Sequence, residues 1–112
     1  VSPRRGEVWL VDFGDPVGRE QSGRRPAVIV SSDLLNDSAA GVIVVVPITT
    51  AYRGLPSHIE IDQRDSGLDE VSYAKCEDVK SVSEQRLISR LGTVGDDVIF
   101  QAARVLRFLL DL

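Results

Sequence analysis

His58 and Cys76 are the only imidazole and the only thiol in the chain. That scarcity limits the available chemistry at once. Acid–base work shared between two histidines is impossible within one chain. One His and one Cys eighteen positions apart make no metal-ligand cluster. The acidic stretch from Asp62 to Glu70 lacks the alternating oxygen ligands of a calcium loop and reads as a solvated loop. Neither Gly-x-x-x-x-Gly-Lys-Ser/Thr nor Gly-x-Gly-x-x-Gly occurs, which argues against a phosphate-cradling nucleotide loop. His58, beside Ser57, reads as a surface or packing side chain. Any acid–base reaction must therefore use groups other than a pair of histidines.

The elements that would position such groups are mostly strands. Glu7 to Phe13 is rich in β-formers and ends in the turn residues Gly14, Asp15 and Pro16. Gly14 to Arg24 is a long, polar, glycine-bearing connection, a candidate lid over a binding surface. Pro26 to Val30 and Val42 to Ile48 are near-continuous apolar runs with many β-branched residues, the pattern of strands covered on both faces. Ser31 to Asn36 predicts one serine-capped helical turn between them. Ser57 to Ile61 and Val71 to Cys76 read as further strands, Ser83 to Leu87 as a short capped helix, and Arg90 to Val94 as a last strand. Val98, Ile99, Ala102, Val105, Leu106, Leu109 and Leu110 recur at helical spacing behind Asp96 and Asp97, whose carboxylates suit a helix N-terminus. Short strands closed by one terminal helix predict a small curved sheet or partly open barrel.

The chain has 112 residues, of which 43% are hydrophobic and 27% charged. This length and composition suit one folded domain spanning 1–112. No apolar run approaches the length of a membrane-spanning helix, so no membrane partner is expected. A single cysteine allows no intrachain disulfide, which fits a reducing cytoplasm. The start, Val1 to Gly6, is polar and basic without the apolar core of a signal peptide, and the absence of any methionine means that an initiator has been lost or trimmed. A formal net charge of -4 argues against indiscriminate binding of polyanions.

Arg5-Gly6-Glu7-Val8-Trp9, Asp12, and Gly18-x-Glu20-Gln21-x-Gly23-x-Arg25-Pro26 before an apolar strand together resemble the MazF/PemK family of toxin endoribonucleases. The order continues through Pro47-Ile48-Thr49, Leu55-Pro56-Ser57-His58-Ile59-Glu60-Ile61, Cys76-Glu77-Asp78 and Gln85-Arg86-Leu87. Each fragment alone is weak, but the joint pattern covers essentially the whole chain. The resemblance implies an SH3-like barrel of short antiparallel strands with a C-terminal helix, acting as a homodimer. It also implies cleavage of single-stranded RNA at short sequences, without metal or other cofactor, to 2',3'-cyclic phosphate and 5'-hydroxyl ends. The implied partner is a cognate antitoxin whose tail fills the RNA groove. Such a reaction needs the 2'-hydroxyl deprotonated, the leaving 5'-oxygen protonated, and the charge gathering at phosphorus stabilised.

By resemblance, Arg25 is the central catalytic arginine, and its planar fork suits bidentate contact with phosphate. Without the family pattern it reads as an arginine lying along a strand start. Thr49 aligns with the family's catalytic threonine, with Thr50 beside it as a substitute; alone, either is a good β-former. Lys75-Cys76-Glu77-Asp78 matches by charge an Arg-Cys-Asp stretch of the PemK branch. This makes Glu77 a candidate base or RNA contact and Lys75 a candidate RNA contact. Period-two geometry would set Lys75 and Glu77 on one face, as a surface ion pair in the simpler reading, and turn Cys76 into the core. The loop departs from the family, because Arg19 stands where serine or histidine is common. Arg19 would bind phosphate while Glu20 and Gln21 fix the loop or read bases. Arg24, Arg53 and Lys80 are secondary candidates for backbone contact, or ordinary solvated charges.

Two other classes compete: a topoisomerase-binding toxin like the similarly folded CcdB family, and an inactive RNA-binding regulator. Arg25-Pro26 with Thr49 favours the nuclease. The charge distribution agrees. Residues up to Arg53 carry six arginines and six acids, whereas those beyond carry seven basic residues against eleven acidic ones. The acidity thus lies away from the arginine-bearing loop, as a narrow basic groove for a short single strand requires.

Overall fold

A computed structural model describes residues 2–15, 18 and 22–112. Arg19, Glu20 and Gln21, with the roles expected of them, lie outside the described residues. Seven strands form an antiparallel sheet: β1 (Glu7–Asp12), β2 (Arg24–Ile29), β3 (Val42–Thr49), β4 (His58–Ile61), β5 (Ser72–Lys75), β6 (Lys80–Ser83) and β7 (Leu87–Thr93). Their order is β4-β5-β3-β2-β1-β7, with β6 also on β3. A helical turn, α1 (Asp33–Asn36), separates β2 from β3, and a long helix, α2 (Asp96–Leu110), ends the fold.

The hub of the sheet is β3. Its first half pairs with β6 (Val42↔Ser83 to Val45↔Lys80), its middle with β2 (Ile29↔Val45 to Ala27↔Pro47), and its end with β5 (Ile48↔Ala74, Thr49↔Tyr73). As their composition predicts, β2 and β3 are covered on both faces. Val28, Val46 and Ile48 join Val8, Ile59, Ile61, Ala74 and Cys76 beneath α2, which contributes Val98, Ile99, Ala102, Val105 and Leu106. On the opposite face, Ala27, Ile29, Ile43 and Val45 pack with Val11, Phe13 and Val82, edged by Trp9 and Leu87.

Pro26 and Pro47 lie where β2 and β3 part. A proline donates no ladder hydrogen bond, and the β2–β3 register ends at Ala27↔Pro47, next to Pro26. Beyond that point β3 turns to β5. Arg25 and Thr49 each lie two residues past this last pair.

Capping explains the short helices. Ser32 Oγ accepts from Leu35 N–H at 3.4 Å to start α1, and Ser83 Oγ accepts from Gln85 N–H at 3.2 Å to start a 3₁₀ turn over Glu84–Arg86. The Glu-Val-Trp segment of the first strand is a structural knot. Glu7 accepts from Arg4 N–H (2.7 Å), Trp9 Nε1–H (3.0 Å) and Arg90 Nε–H (2.7 Å), fastening the N-terminus to β7. The β1–β2 hairpin runs slightly past its strands. Phe13 N–H donates to the Gly23 carbonyl at 2.9 Å and Gly23 N–H to the Gly14 carbonyl at 2.8 Å, closing the base of the long connection.

Four sequence-based expectations need correction. Lys80–Ser83 forms a strand that the sequence does not announce, because only Val82 of its four residues is buried. The last strand begins at Leu87 and ends at Thr93, earlier at both ends than expected. The strand expected through Cys76 stops at Lys75, and Cys76–Asp78 coils into a 3₁₀ turn. Finally, the Asp62–Glu70 segment is more than a solvated loop. Ser66 is fully buried, its hydroxyl donating to the Asp62 carbonyl (2.9 Å) and accepting from Leu68 N–H (3.2 Å), and Thr93 N–H donates to the Asp65 carbonyl (2.7 Å). The loop is laid against β7.

Candidate active site

Directly opposed residues of antiparallel strands share a face, as do alternate residues along a strand. Val11↔Arg25 and Ala27↔Pro47 set Arg25 and Thr49 on the face away from α2. Thr49↔Tyr73 and His58↔Lys75 extend that face across β5 and β4, and Val45↔Lys80 places Lys80 on it further back. The sheet thus gathers Arg25, Thr49, Tyr73, Lys75 and Lys80 on one side. Arg24 belongs to the other face by the same alternation, and Thr50 and Arg53 are exposed in the connection after β3.

Arg25 is exposed, its Nε–H donating to the Ser22 carbonyl at 3.3 Å, so most of its guanidinium fork is turned to solvent. Thr49 Oγ1 accepts from Ala51 N–H at 3.1 Å, which turns the chain away from β3 and leaves the hydroxyl proton to donate elsewhere. Lys80 Nζ stands 5.7 Å from the Phe13 ring centroid, a cation–π contact that steadies the ammonium at the edge of the apolar cluster.

Glu77 sits differently from its expected position. It does not share a strand face with Lys75, because the chain has left the strand by then. Lys75 Nζ instead pairs with Asp78 at 2.8 Å. The Glu77 carboxylate accepts from Ser57 Oγ at 2.8 Å on Oε1 and meets His58 Nε2 at 2.8 Å on Oε2. The His58 side chain is only 3% exposed, so it is a packing histidine, and it holds the carboxylate from beneath. Ser57, His58 and an acid are therefore neighbours, yet they form no nucleophilic triad. The serine proton goes to the carboxylate and not to the imidazole.

These contacts set the charge of Glu77. Partial burial works to raise its pKa, but hydrogen bonds from His58, its own backbone N–H and Ser57 outweigh that, and the pKa falls below the ordinary 4.5. A depressed carboxylate pKa stabilises the fold above the unfolded-state value, and the contribution is lost as pH falls through the folded-state value. Urea titrations of wild type and Glu77→Gln at neutral pH and near pH ~3.5 should show wild type losing more stability on acidification than the variant. Equal losses would remove Glu77 from the linkage.

Cys76 is fully buried, and its thiol is pushed up to about 11, first by burial and then by the Glu77 charge. It is a core side chain, as its position in the sequence suggests. Among the described residues no group of three His, Cys, Asp or Glu side chains is arranged to hold a metal ion, and no helix is long and apolar enough to cross a membrane.

The chain is thus a small antiparallel β fold closed by a C-terminal helix, with an exposed arginine and a threonine where two strands part. Residues 4–110 match the model of the PemK-like, MazF-like toxins of type II toxin–antitoxin systems. Endoribonuclease MazF9 of Mycobacterium tuberculosis is 35% identical over 97% of each chain, and endoribonuclease EndoA of Bacillus subtilis is 27% identical over 97% of this chain and 95% of its own. The crystal structure of MazF from Deinococcus radiodurans superposes with a TM-score of 0.88 at 24% identity, covering 100% of this chain and 99% of that one. A mycobacterial endoribonuclease solved with its cognate antitoxin gives a TM-score of 0.81 at 25% identity, over 99% and 97% of the two chains. The chain belongs to the PemK-like, MazF-like toxin family, and is thereby a toxin of the endoribonuclease class.

Proposed function

We propose that this toxin cuts single-stranded RNA at short sequences by attack of the ribose 2'-hydroxyl on the neighbouring phosphorus. The 2'-oxygen forms a bond to phosphorus as the bond to the 5'-oxygen breaks, leaving a 2',3'-cyclic phosphate and a 5'-hydroxyl. The observation that carries this reading is the juxtaposition of Arg25 and Thr49 on one face, just beyond the last β2–β3 pair. Arg25 spreads its fork over the phosphate oxygens and neutralises the charge that builds there. Thr49 donates its hydroxyl proton to a phosphate oxygen or orders the ribose. Glu77 in its ionised form takes the 2'-hydroxyl proton, and water supplies the proton that the leaving 5'-oxygen gains. Lys75, Lys80, Thr50 and Arg53, with Arg19, Glu20 and Gln21 of the long connection, supply contacts along the strand, whereas Arg24, on the other face, does not.

The whole chain forms the catalytic unit, it works in the cytoplasm, and two copies pair as a homodimer. Support for the pairing comes from the far end of α2, where Phe108 is 86% and Leu112 80% exposed beside Leu109 and Leu110. Contiguous apolar surface of this kind marks an interaction face. A cognate antitoxin occupies the RNA groove when the toxin is silent, as expected of a toxin whose mycobacterial relative was solved with its antitoxin.

The test incubates the purified chain with mixed-sequence RNA in the presence of a chelator. Cleavage should persist with chelator, and sequencing the new ends identifies the cut position. An RNA carrying hydrogen in place of the 2'-hydroxyl at that position should remain intact, and Thr49→Val should cut about tenfold or more slowly. Cutting of the deoxy-substituted site would overturn the mechanism, and no cutting of any RNA would overturn the function.

A further inference from the structure

An exposed aromatic side chain stands next to the candidate site and takes no part in the chemistry above. Tyr52 lies in the connection after β3, three residues beyond Thr49, and is 76% exposed. Despite that exposure its ring is held. It meets Tyr73 edge-on, with ring centroids 5.6 Å apart and planes at 62°. Its hydroxyl end lies over Gly54, where an added Cβ would come within 3.3 Å of the oxygen. Tyr73 in turn is the direct cross-strand partner of Thr49.

The chain has six aromatic side chains. Phe13 is buried, Trp9 half-buried, and Phe100 and Phe108 belong to α2, which packs beneath the opposite face of the sheet. Tyr52 is therefore the exposed ring on the side of Arg25 and Thr49. Aromatic rings beside a backbone-binding cationic groove are how proteins hold unpaired bases, because each base has a π-face to stack and no complementary strand to stack within. A ring already braced by a neighbour loses little freedom when it does so.

We propose that Tyr52, braced by Tyr73, is a stacking platform for the base next to the phosphate held at Arg25 and Thr49. It is a specificity-determining contact of this chain and not a catalytic residue. The proposal rests on the reading of that face as an RNA groove. The platform favours a flat, unpaired base over a paired one and helps to fix which phosphate lies under Arg25.

Fluorescent eight-nucleotide single strands of mixed sequence, 2'-deoxy throughout so that they cannot be cut, are titrated with wild type, Tyr52→Ala, Tyr52→Trp and Arg25→Ala. A second probe has the same backbone with abasic sugars. Tyr52→Ala should weaken binding of the base-bearing strand about tenfold, and Tyr52→Trp should keep it. Neither should alter binding of the abasic strand, whereas Arg25→Ala should weaken both. Wild-type affinity in Tyr52→Ala beside a loss in Arg25→Ala would overturn the platform and leave the groove standing. Equal loss on both probes in Tyr52→Ala would show that stacking is not its role. Unchanged binding in both variants would overturn the groove itself, and the platform with it.

Discussion

Replacing Arg25 by alanine is expected to slow RNA cleavage by about a hundredfold to a thousandfold, the usual cost of removing a principal group that stabilises transition-state charge. The fold should hardly notice. Arg25 is exposed, and its hydrogen bond is a 3.3 Å contact to the Ser22 carbonyl at the edge of a connection. Arg25→Lys should recover part of the rate, since an ammonium supplies charge but not two parallel donors to a phosphate. Single-turnover cleavage of a mapped site, with thermal melts of each variant, measures both quantities. An alanine variant that melts with wild type and cuts at the wild-type rate would sink the assignment of Arg25 to the chemistry.

The largest effect on stability is expected at Gly92. This buried glycine of β7 lies against the backbone of Asp65 and Ser66, and a Cβ there would overlap both residues. Gly67 meets the same seam from the other side: it holds φ +77, and a Cβ on it would run into the Leu91 carbonyl. Backbone cannot swing aside as a side chain can. Gly92→Ala must therefore lift the Asp62–Glu70 loop off β7, breaking the bond from Thr93 N–H to the Asp65 carbonyl. A loss of about 4 kcal/mol is expected, a large share of the roughly 5–15 kcal/mol that holds a domain of this kind. Gly95→Ala is the control, because its Cβ would meet only the carboxylate of Asp97, which can rotate away. Chemical denaturation of the two variants should separate them widely, and comparable midpoints would show that the seam is not tight.

The strands that cross the core were legible because they are apolar and β-branched, and α2 because its apolar residues repeat at helical spacing. Lys80–Ser83 was not, since its single inward residue, Val82, gives no period to read. Arg25 and Thr49 had the opposite difficulty. Their local sequence suits a strand start and a strand end, and only the family pattern singled them out. The partners of Glu77 were illegible for another reason: Ser57 and His58 reach it through the β4–β5 register, which no local pattern encodes. The Tyr52–Tyr73 contact depends on the same kind of long-range pairing. Arg86, whose guanidinium donates to the Asp12 carbonyl at 3.1 Å and ties the 3₁₀ turn after β6 to the end of β1, appeared in the sequence only as part of a motif.

Because β3 carries β6, β2 and β5 along successive stretches of its length, neither side of the sheet can assemble without it. Its partners come from before and after it in the chain, so most pairing is non-local and must wait for the ends of long loops to meet. Folding is correspondingly slow, and a domain this small is expected to fold in two states. Arg25 and Thr49, on β2 and β3, are brought onto one face only when those strands pair, so an unfolded chain does not hold the proposed site. The time the chain takes to fold thus becomes an interval, after synthesis, in which the toxin is present but harmless.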